Sequence, residues 1–173
     1  SFERVLKMKP WLLAVIFDSP RPITPFNLDN LLRTKARDLG LKIKGLETSE
    51  EHFQVLDNFS VEEQVNFLKK VLDKSLEQKE EDYERLMAAY LSQDLSNIIA
   101  INERLTSQLV SKSMWIKVKE KILINRNKVF FNRAHELSEN NRLFIAVGAS
   151  HLGGSNGLLK QFELVGYKLN ALR

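Results

Sequence analysis

One histidine of this chain stands in a turn that is rich in glycine. His151 lies within residues 148–157, a segment that holds four of the seven glycines. A histidine in a bend with little side-chain bulk around it can bind a metal ion or move a proton near neutral pH. The same imidazole can instead serve the fold by hydrogen-bonding the turn, and both interpretations stay open. The turn lacks the lysine of a phosphate-binding loop and the G-x-G-x-x-G spacing of dinucleotide-binding proteins, so we do not expect nucleotide binding.

A carboxylate follows another short apolar segment. Glu47 comes directly after Leu41–Leu46, where apolar residues alternate with lysines, a pattern typical of a β-strand. Leu143–Val147, directly before the turn, is continuously apolar, as in a strand buried on both faces. If the two strands are parallel, Glu47 and His151 leave the same edge of a sheet and can share a metal ion or act as an acid/base pair. Glu47 can equally be a negative charge that favours the beginning of the next helix.

The secondary structure that positions these residues is predicted from the distribution of glycine and proline and from the periodicity of apolar residues. Residues 46–147 contain no glycine and no proline, so this stretch is predicted to be helices joined by short turns. Capping-box patterns, in which Ser60 is followed by Glu63 and Thr48 by Glu51, predict where two of the helices begin. Apolar residues repeat at three- and four-residue steps on faces that we expect to be buried: Val61, Val65, Leu68, Leu72 and Leu76; Tyr83, Leu86, Met87, Tyr90 and Leu91; Ile98, Ile101, Leu105 and Leu109.

The C-terminal residues predict a third strand, Tyr167–Leu172, after a short helix at Gly157–Val165. Strand, helix and strand in succession form a βαβ unit, which requires parallel strands and a right-handed crossover. We therefore expect an α+β fold with an α/β-like core. It would have a small mixed or parallel sheet, a C-terminal βαβ unit and a large helical insertion at about residues 48–140. The 173 residues suffice for one core, so we expect a single domain over residues 1–173.

Composition excludes a few classes of site and partner. The chain has no cysteine, which excludes disulfides, thiolate metal sites and a thiol nucleophile. Its longest apolar run, Trp11–Phe17, is far shorter than the roughly 20 residues of a membrane-spanning helix, so we expect no transmembrane segment. The stretch from Lys112 to Arg133 holds seven basic residues and one acid, Glu120. We interpret it as a solvated helix face and expect no nucleic-acid partner.

The glycine-rich turn also belongs to a series of motifs that resembles a known family. Residues 147–154 (Val-Gly-Ala-Ser-His-Leu-Gly-Gly), with 157–159 and 166–167, look like the C-terminal signature of the TraB/PrgY/GumN/TIKI family. Three further segments resemble the same family in the same order, so the resemblance spans nearly the whole chain: Lys9-Pro10-Trp11, Gly45-Leu46-Glu47-Thr48 with Gln64 downstream, and Asn125-Arg126-Asn127.

The resemblance implies a fold distantly related to the erythromycin-esterase and ChaN-like proteins (EreA/ChaN-like) and a metal-dependent peptidase activity of the TIKI/GumN type. TIKI members use two G-x-x-H motifs, an acidic residue and an arginine. By this resemblance Glu47, Arg126 and His151 are catalytic residues. Glu47 and His151 would also bind the metal, and Arg126 would stabilise an oxyanion. The glycines of the turn would contribute to cofactor binding: Gly148, Gly153 and Gly154.

One departure from the family pattern concerns its first G-x-x-H motif, which precedes the Lys-Pro-Trp segment in the family and does not occur in this sequence. A catalytic zinc site usually takes three protein ligands, and the match offers only His151 and Glu47. We therefore expect a domain truncated at its N-terminus, with the missing portion preceding Ser1 or supplied by another chain. A divalent ion such as zinc, manganese or cobalt would bind in the full-length protein and not tightly to this fragment.

The alternative function is that of a non-catalytic peptide-binding or regulatory protein of the TraB/PrgY type. In either case the resemblance implies a peptide or protein as the binding partner, and an exported or cell-envelope-associated location. Apolar surface left exposed where the missing portion would pack favours a homo-oligomer.

Overall fold

The computed structural model describes residues 3, 5, 7–19 and 24–172, without the side chain of Leu56. Its regular elements are helical. None of the helices in the described part is long and apolar enough to cross a bilayer. In chain order the elements are α1 (Pro10–Asp18), α2 (Leu28–Asp38), α3 (Ser49–Asp57), α4 (Val61–Asp73), α5 (Leu76–Leu91), α6 (Leu95–Gln108), α7 (Lys112–Lys119), a π-helix (Glu120–Ile124), α8 (Asn125–Ser138), a 3₁₀ turn (Ala149–His151) and α9 (Leu158–Leu164).

The predicted α+β fold, with its sheet, its βαβ unit and its EreA/ChaN-like core, is wrong. Over the described ranges there is no strand and no sheet, and Leu41–Leu46, Leu143–Val147 and Tyr167–Leu172 are irregular segments. A strand exists only where its backbone groups hydrogen-bond to a neighbouring strand, and these segments do not pair with one another. The apolar run before the glycine-rich turn is also not buried on both faces, since Phe144 is 80% exposed.

Both predicted capping boxes are present. The Thr48 backbone N–H donates to Glu51 Oε2 at 2.7 Å, and the Glu51 N–H donates to Thr48 Oγ1 at 3.1 Å. Ser60 and Glu63 make the same reciprocal pair at 2.9 and 3.2 Å. Each box satisfies two backbone donors that a helix beginning leaves free, a contribution of about 1 kcal/mol. The beginnings of α3 and α4 are thereby fixed by their own sequences.

The core lies where α1 packs on α4 and where α7 meets the segment before α4. Several residues that periodicity placed on buried faces are exposed instead, among them Val61, Leu76 and Leu91. Each of the three is the first or last residue of its helix. A helix end projects beyond the helices packed against its middle. The apolar stripe therefore extends further along the helix than the part of it that is buried. Two clusters of buried side chains form this core: Ala14, Val71 and Leu109; Phe59, Met114 and Val118.

The π-helix connects α7 with α8 and gives α8 its position. Its backbone hydrogen bond runs from the Asn125 N–H to the Glu120 carbonyl, five residues back. Helix α8 then packs against the π-helix and against α9, and the 3₁₀ turn packs against α6. Asn102 Nδ2 on α6 donates to Ser150 Oγ at 3.1 Å, which attaches the turn to that helix. The residues singled out in the sequence are therefore arranged around α8.

Candidate functional site

Glu47 and Arg126 form a bidentate ion pair. Arg126 Nε donates to Glu47 Oε2 at 2.9 Å, and Arg126 Nη2 donates to Oε1 at 2.6 Å. Only 17% of the Glu47 side chain and 19% of the Arg126 side chain are exposed. Arg126 Nη1 donates to the Ile122 carbonyl at 3.2 Å, so every nitrogen of the guanidinium has a partner. The pair joins the loop before α3 to the first turn of α8, in the short, strong geometry of a charge-assisted hydrogen bond.

His52 completes this cluster, although the sequence gave it no role. Its Nδ1 lies 2.8 Å from Glu47 Oε1 and 3.4 Å from Arg126 Nη2. Because a carboxylate only accepts hydrogen bonds, the shorter contact requires a proton on Nδ1, and that proton excludes donation from Arg126. Burial alone raises the pKa of Glu47, but the hydrogen bonds and positive charge of Arg126 and the contact with His52 outweigh it and lower the pKa below its usual value.

The signal for the Glu47–His52 contact is present in the sequence. Thr48 caps α3, so Glu47 is the residue before the cap and His52 is the fourth residue of the helix. These two positions commonly contact each other across a helix beginning as a pair of apolar residues. Here a carboxylate and an imidazole occupy the same two positions.

A second bidentate pair, between Glu51 and Arg133, also attaches α3 to α8. Arg133 Nη2 and Nη1 each donate to a Glu51 oxygen at 2.7 Å, and Nη1 also donates to the Leu46 carbonyl at 2.8 Å. The hydrogen bonds from Arg133 are the main reason that the pKa of Glu51 is lowered to about 2. Arg126 and Arg133 lie about two helical turns apart on one face of α8. That face therefore holds α3 at two successive points.

His151 is buried in the 3₁₀ turn, with 8% of its surface exposed. Its Nδ1 lies 2.6 Å from Asn127 Oδ1, and Asn127 Nδ2 donates to the Asn156 carbonyl at 2.8 Å. Since the amide nitrogen of Asn127 is used by Asn156, its oxygen faces the imidazole and accepts the Nδ1 proton. The neutral ring therefore carries no proton on Nε2. Asn127 belongs to the Asn-Arg-Asn motif but had no assigned role, because the sequence does not show which side chain it meets.

The protonation of His151 follows from its surroundings. Burial is the main reason that its pKa is lowered, to about 4, and the positive charge of Arg126 lowers it further. Glu47 acts in the opposite direction and does not offset these effects. His151 is thus a neutral imidazole at physiological pH, with an unprotonated lone pair on Nε2.

Helix α8 brings the three predicted catalytic residues into one region. The guanidinium of Arg126 lies 5.1 Å from the centre of the Phe130 ring, and the His151 ring centre is also 5.1 Å from that of Phe130. No hydrogen bond or ion pair in the described residues joins Glu47 to His151 directly. Each is held by its own partner, and they approach one another through α8 rather than at the edge of a sheet. Their catalytic roles stay predictions.

The predicted cofactor glycines have local structural reasons. A Cβ on Gly153 would lie 2.6 Å from Ile99 Cδ1, so glycine lets the turn approach α6 closely. Gly154 has a φ of +79°, which side chains of L-residues rarely adopt. A Cβ on Gly148 would make only an ordinary contact with the His151 ring, at 3.8 Å. A cofactor-binding role for these glycines stays a prediction.

The side chains of the site do not fit the metal that the resemblance implies. The part of the chain that the structure describes holds no group of three or more His, Cys, Asp or Glu side chains that could bind a metal ion. Both oxygens of Glu47 already accept hydrogen bonds from Arg126. His151 offers one free nitrogen, whereas a catalytic zinc usually needs three protein ligands. We therefore assign no chemical step to a metal on these residues.

A cleft of about 340 Å³ lies beside the Glu47–Arg126 pair, between α3 and the π-helix with the first turn of α8. Four charged residues line it, and so do three side-chain amides for which the structure gives no hydrogen bond within the described residues. The charged residues are Glu47, Glu51, Lys121 and Arg126, and the amides are Gln54, Asn58 and Asn125. A second cleft, of about 380 Å³, is lined by Lys74, residues of α5 and Gln108, and contains none of the predicted site residues.

The basic stretch from Lys112 to Arg133 is largely neutralised. Lys117 lies 3.5 Å from Glu63, and Lys119 lies 2.6 Å from Glu103. Arg126 and Arg133 are held by the carboxylates of Glu47 and Glu51. Four of the seven basic side chains therefore have an acidic partner, which weakens the stretch as a surface for polyanions.

Comparison with known proteins gives one match. The sequence model of the TraB/PrgY/gumN family matches residues 1–171, which confirms the family indicated by the sequence motifs. No curated protein and no solved structure matches the chain.

We predict that Asn127→Asp raises the pKa of His151 from about 4 by roughly 1–3 units, because a carboxylate would replace the amide oxygen beside Nδ1. Titration of the imidazole by NMR measures this pKa. Asn132→Asp, at an exposed position of the same helix, is the control and should leave it unchanged. A pKa near 6.5 in the unchanged protein would contradict the description of this site.

The same shift gives a pH dependence of stability. The pKa of His151 is about 4 in the folded chain and 6.5 in its ordinary state, so the unfolded chain takes up the proton first as pH falls. The contribution of His151 to stability is therefore complete above about 6.5 and is lost as pH falls towards 4. The Asn127→Asp variant should lose less stability across this window.

Proposed function

The chain belongs to the TraB/PrgY/gumN family, and we propose that it binds a peptide segment in the cleft between α3 and the π-helix, in a non-catalytic, regulatory role of the TraB/PrgY type. The observation that carries the proposal is the group of side-chain amides beside the Glu47–Arg126 pair. A cleft of this size lies within the range of sites that bind small ligands.

The amides suit a peptide main chain. The structure gives no hydrogen bond from the side chains of Gln54, Asn58 or Asn125 to another described residue, so their donors and acceptors face the cleft or solvent. Each carboxamide offers an acceptor oxygen and two donor hydrogens. A peptide backbone presents the complementary set at every residue. Three such amides around one cleft can therefore bind an extended peptide with little dependence on its side chains.

The charged residues of the site support binding rather than catalysis. Glu47 accepts hydrogen bonds from His52 and from two nitrogens of Arg126, and the third nitrogen of Arg126 donates to the Ile122 carbonyl. The pair lowers the pKa of Glu47, which makes its carboxylate a weaker base towards a water molecule, and the positive charge that Arg126 could offer to an oxyanion is already balanced by Glu47. Separating a bidentate pair that is mostly shielded from solvent is costly because it leaves an uncompensated charge. The pair is better suited to holding the wall of the cleft in place.

We predict that Asn125→Ala weakens peptide binding roughly 2- to 12-fold, the loss expected for one hydrogen bond of about 0.5–1.5 kcal/mol. The measurement is fluorescence anisotropy with a mixed pool of labelled hexapeptides. Asn140→Ala, an exposed position in the turn after α8, is the matched control and should bind as the unchanged protein does. If the pool does not bind the unchanged protein, or if Asn125→Ala binds it equally well, peptide binding in this cleft is wrong.

Hydrolysis of a peptide bond is a second candidate, favoured by one observation. Asn127 holds the Nδ1 proton of His151, which leaves Nε2 as a free base in a neutral ring. Histidines that bind catalytic metals or accept protons are commonly oriented in this way. What weighs against this candidate is that the described residues do not supply the remaining donors of a metal site.

Cleavage of the same peptide pool separates the two candidates. We expect mass spectrometry to recover the peptides intact after incubation with the chain, whether zinc, manganese or cobalt is added or a chelator is present. Cleavage by the unchanged protein that is lost in His151→Ala and retained in His135→Ala would contradict non-catalytic binding and establish the peptidase. The His135 variant controls for loss of an imidazole elsewhere on the chain.

A further inference from the structure

The charges that line the cleft leave one cation without an acidic partner. Glu47 is neutralised by Arg126, and Glu51 by Arg133. Lys121 also lines the cleft, and no carboxylate of the described residues lies within ion-pair distance of it. The cleft therefore presents a single unneutralised positive charge, next to side-chain amides.

Lys121 is held at this place by an aromatic ring and by the π-helix. Its Nζ lies 5.1 Å from the centre of the Phe59 ring, within the range of a cation–π interaction. Phe59 itself is buried in the core, so the ring is a fixed support for the ammonium group. Lys121 is the second residue of the π-helix, an element that is frequently found at functional sites.

We propose that the cleft recognises the C-terminal carboxylate of its peptide, and that Lys121 binds this carboxylate. The inference rests on the proposed function and names the part of the peptide that the cleft recognises. A terminal carboxylate carries one negative charge, which matches the single free cation of the cleft. The peptide groups directly before it would lie against the amides of Asn58 and Asn125.

A phosphate group fits the cleft less well. It carries nearly two negative charges and is bound best by the forked donors of arginine. Both arginines next to the cleft are already engaged by carboxylates. A single ammonium group with neutral amides matches a carboxylate, which is smaller than a phosphate and carries only one negative charge.

The test compares three pools of labelled hexapeptides that share their first five residues. One pool has a free C-terminal carboxylate, the second a C-terminal amide, and the third a C-terminal amide with glutamate as its last residue. We expect the unchanged protein to bind the first pool roughly 5- to 10-fold more tightly than the other two, between the strength of an exposed ion pair and that of a hydrogen bond to a charged group.

Two variants assign this preference to one residue. Lys121→Gln removes the charge and leaves a polar side chain that is one atom shorter, and it should bind all three pools with equal, weaker affinity. Lys128→Gln removes an exposed charge from α8 and should keep the preference. Far-UV circular dichroism of both variants confirms that they keep their helices.

Each outcome bears on a different statement. Equal binding of the first two pools by the unchanged protein would overturn carboxylate recognition but leave peptide binding standing. Binding of the third pool as tight as that of the first would mean that any carboxylate is accepted and would overturn recognition of the C-terminus. A preference that survives in Lys121→Gln would overturn the role of that residue. If no pool binds, the proposed function itself is wrong.

Discussion

The ion pair between Glu47 and Arg126 is the contact on which the rest of the site depends. It fixes the loop before α3 against the first turn of α8, and it forms one wall of the cleft. Through Glu47 it orients His52, and through the Phe130 ring it lies next to His151. The described residues form no sheet that could bring these side chains together. The two ion pairs that attach α3 and the loop before it to α8 bring them together instead.

This pair contributes more to the position of α3 on α8 than to the net stability of the fold. The pair is only partly exposed, so both charges lose much of their hydration, and replacing a pair of this kind by apolar residues is often neutral or stabilising. Removing one partner is different, because the remaining charge stays buried without compensation. A pair of this kind specifies one position of α3 on α8. That position in turn sets the separation between the amides on the two sides of the cleft.

The sequence predicted the local beginnings of helices better than the arrangement in space. Capping at Thr48 and Ser60 depends on residues three positions apart, and it is visible in the sequence. A strand depends on a partner strand elsewhere in the chain. The alternation of apolar residues and lysines in Leu41–Leu46 cannot show such a partner, so the predicted strand was wrong. The motifs identified the family and pointed to Glu47 and Arg126, whose direct contact the structure shows. Asn127 received no role, since its contact with His151 joins distant segments and leaves little signal in one sequence. His52 also received none, although its position relative to the helix cap at Thr48 indicates the contact with Glu47.

A double-mutant cycle on Glu47 and Arg126 tests the central claim most directly. The free energy of unfolding in urea is measured for Glu47→Ala, Arg126→Ala and the double variant, with the exposed pair of Glu81 and Arg85 as a control cycle. The account predicts a coupling energy of roughly 1–3 kcal/mol for Glu47 and Arg126 and only about 0.5 kcal/mol for the control. Additive effects at Glu47 and Arg126, within about 0.5 kcal/mol, would contradict the claim that their contact holds α3 on α8.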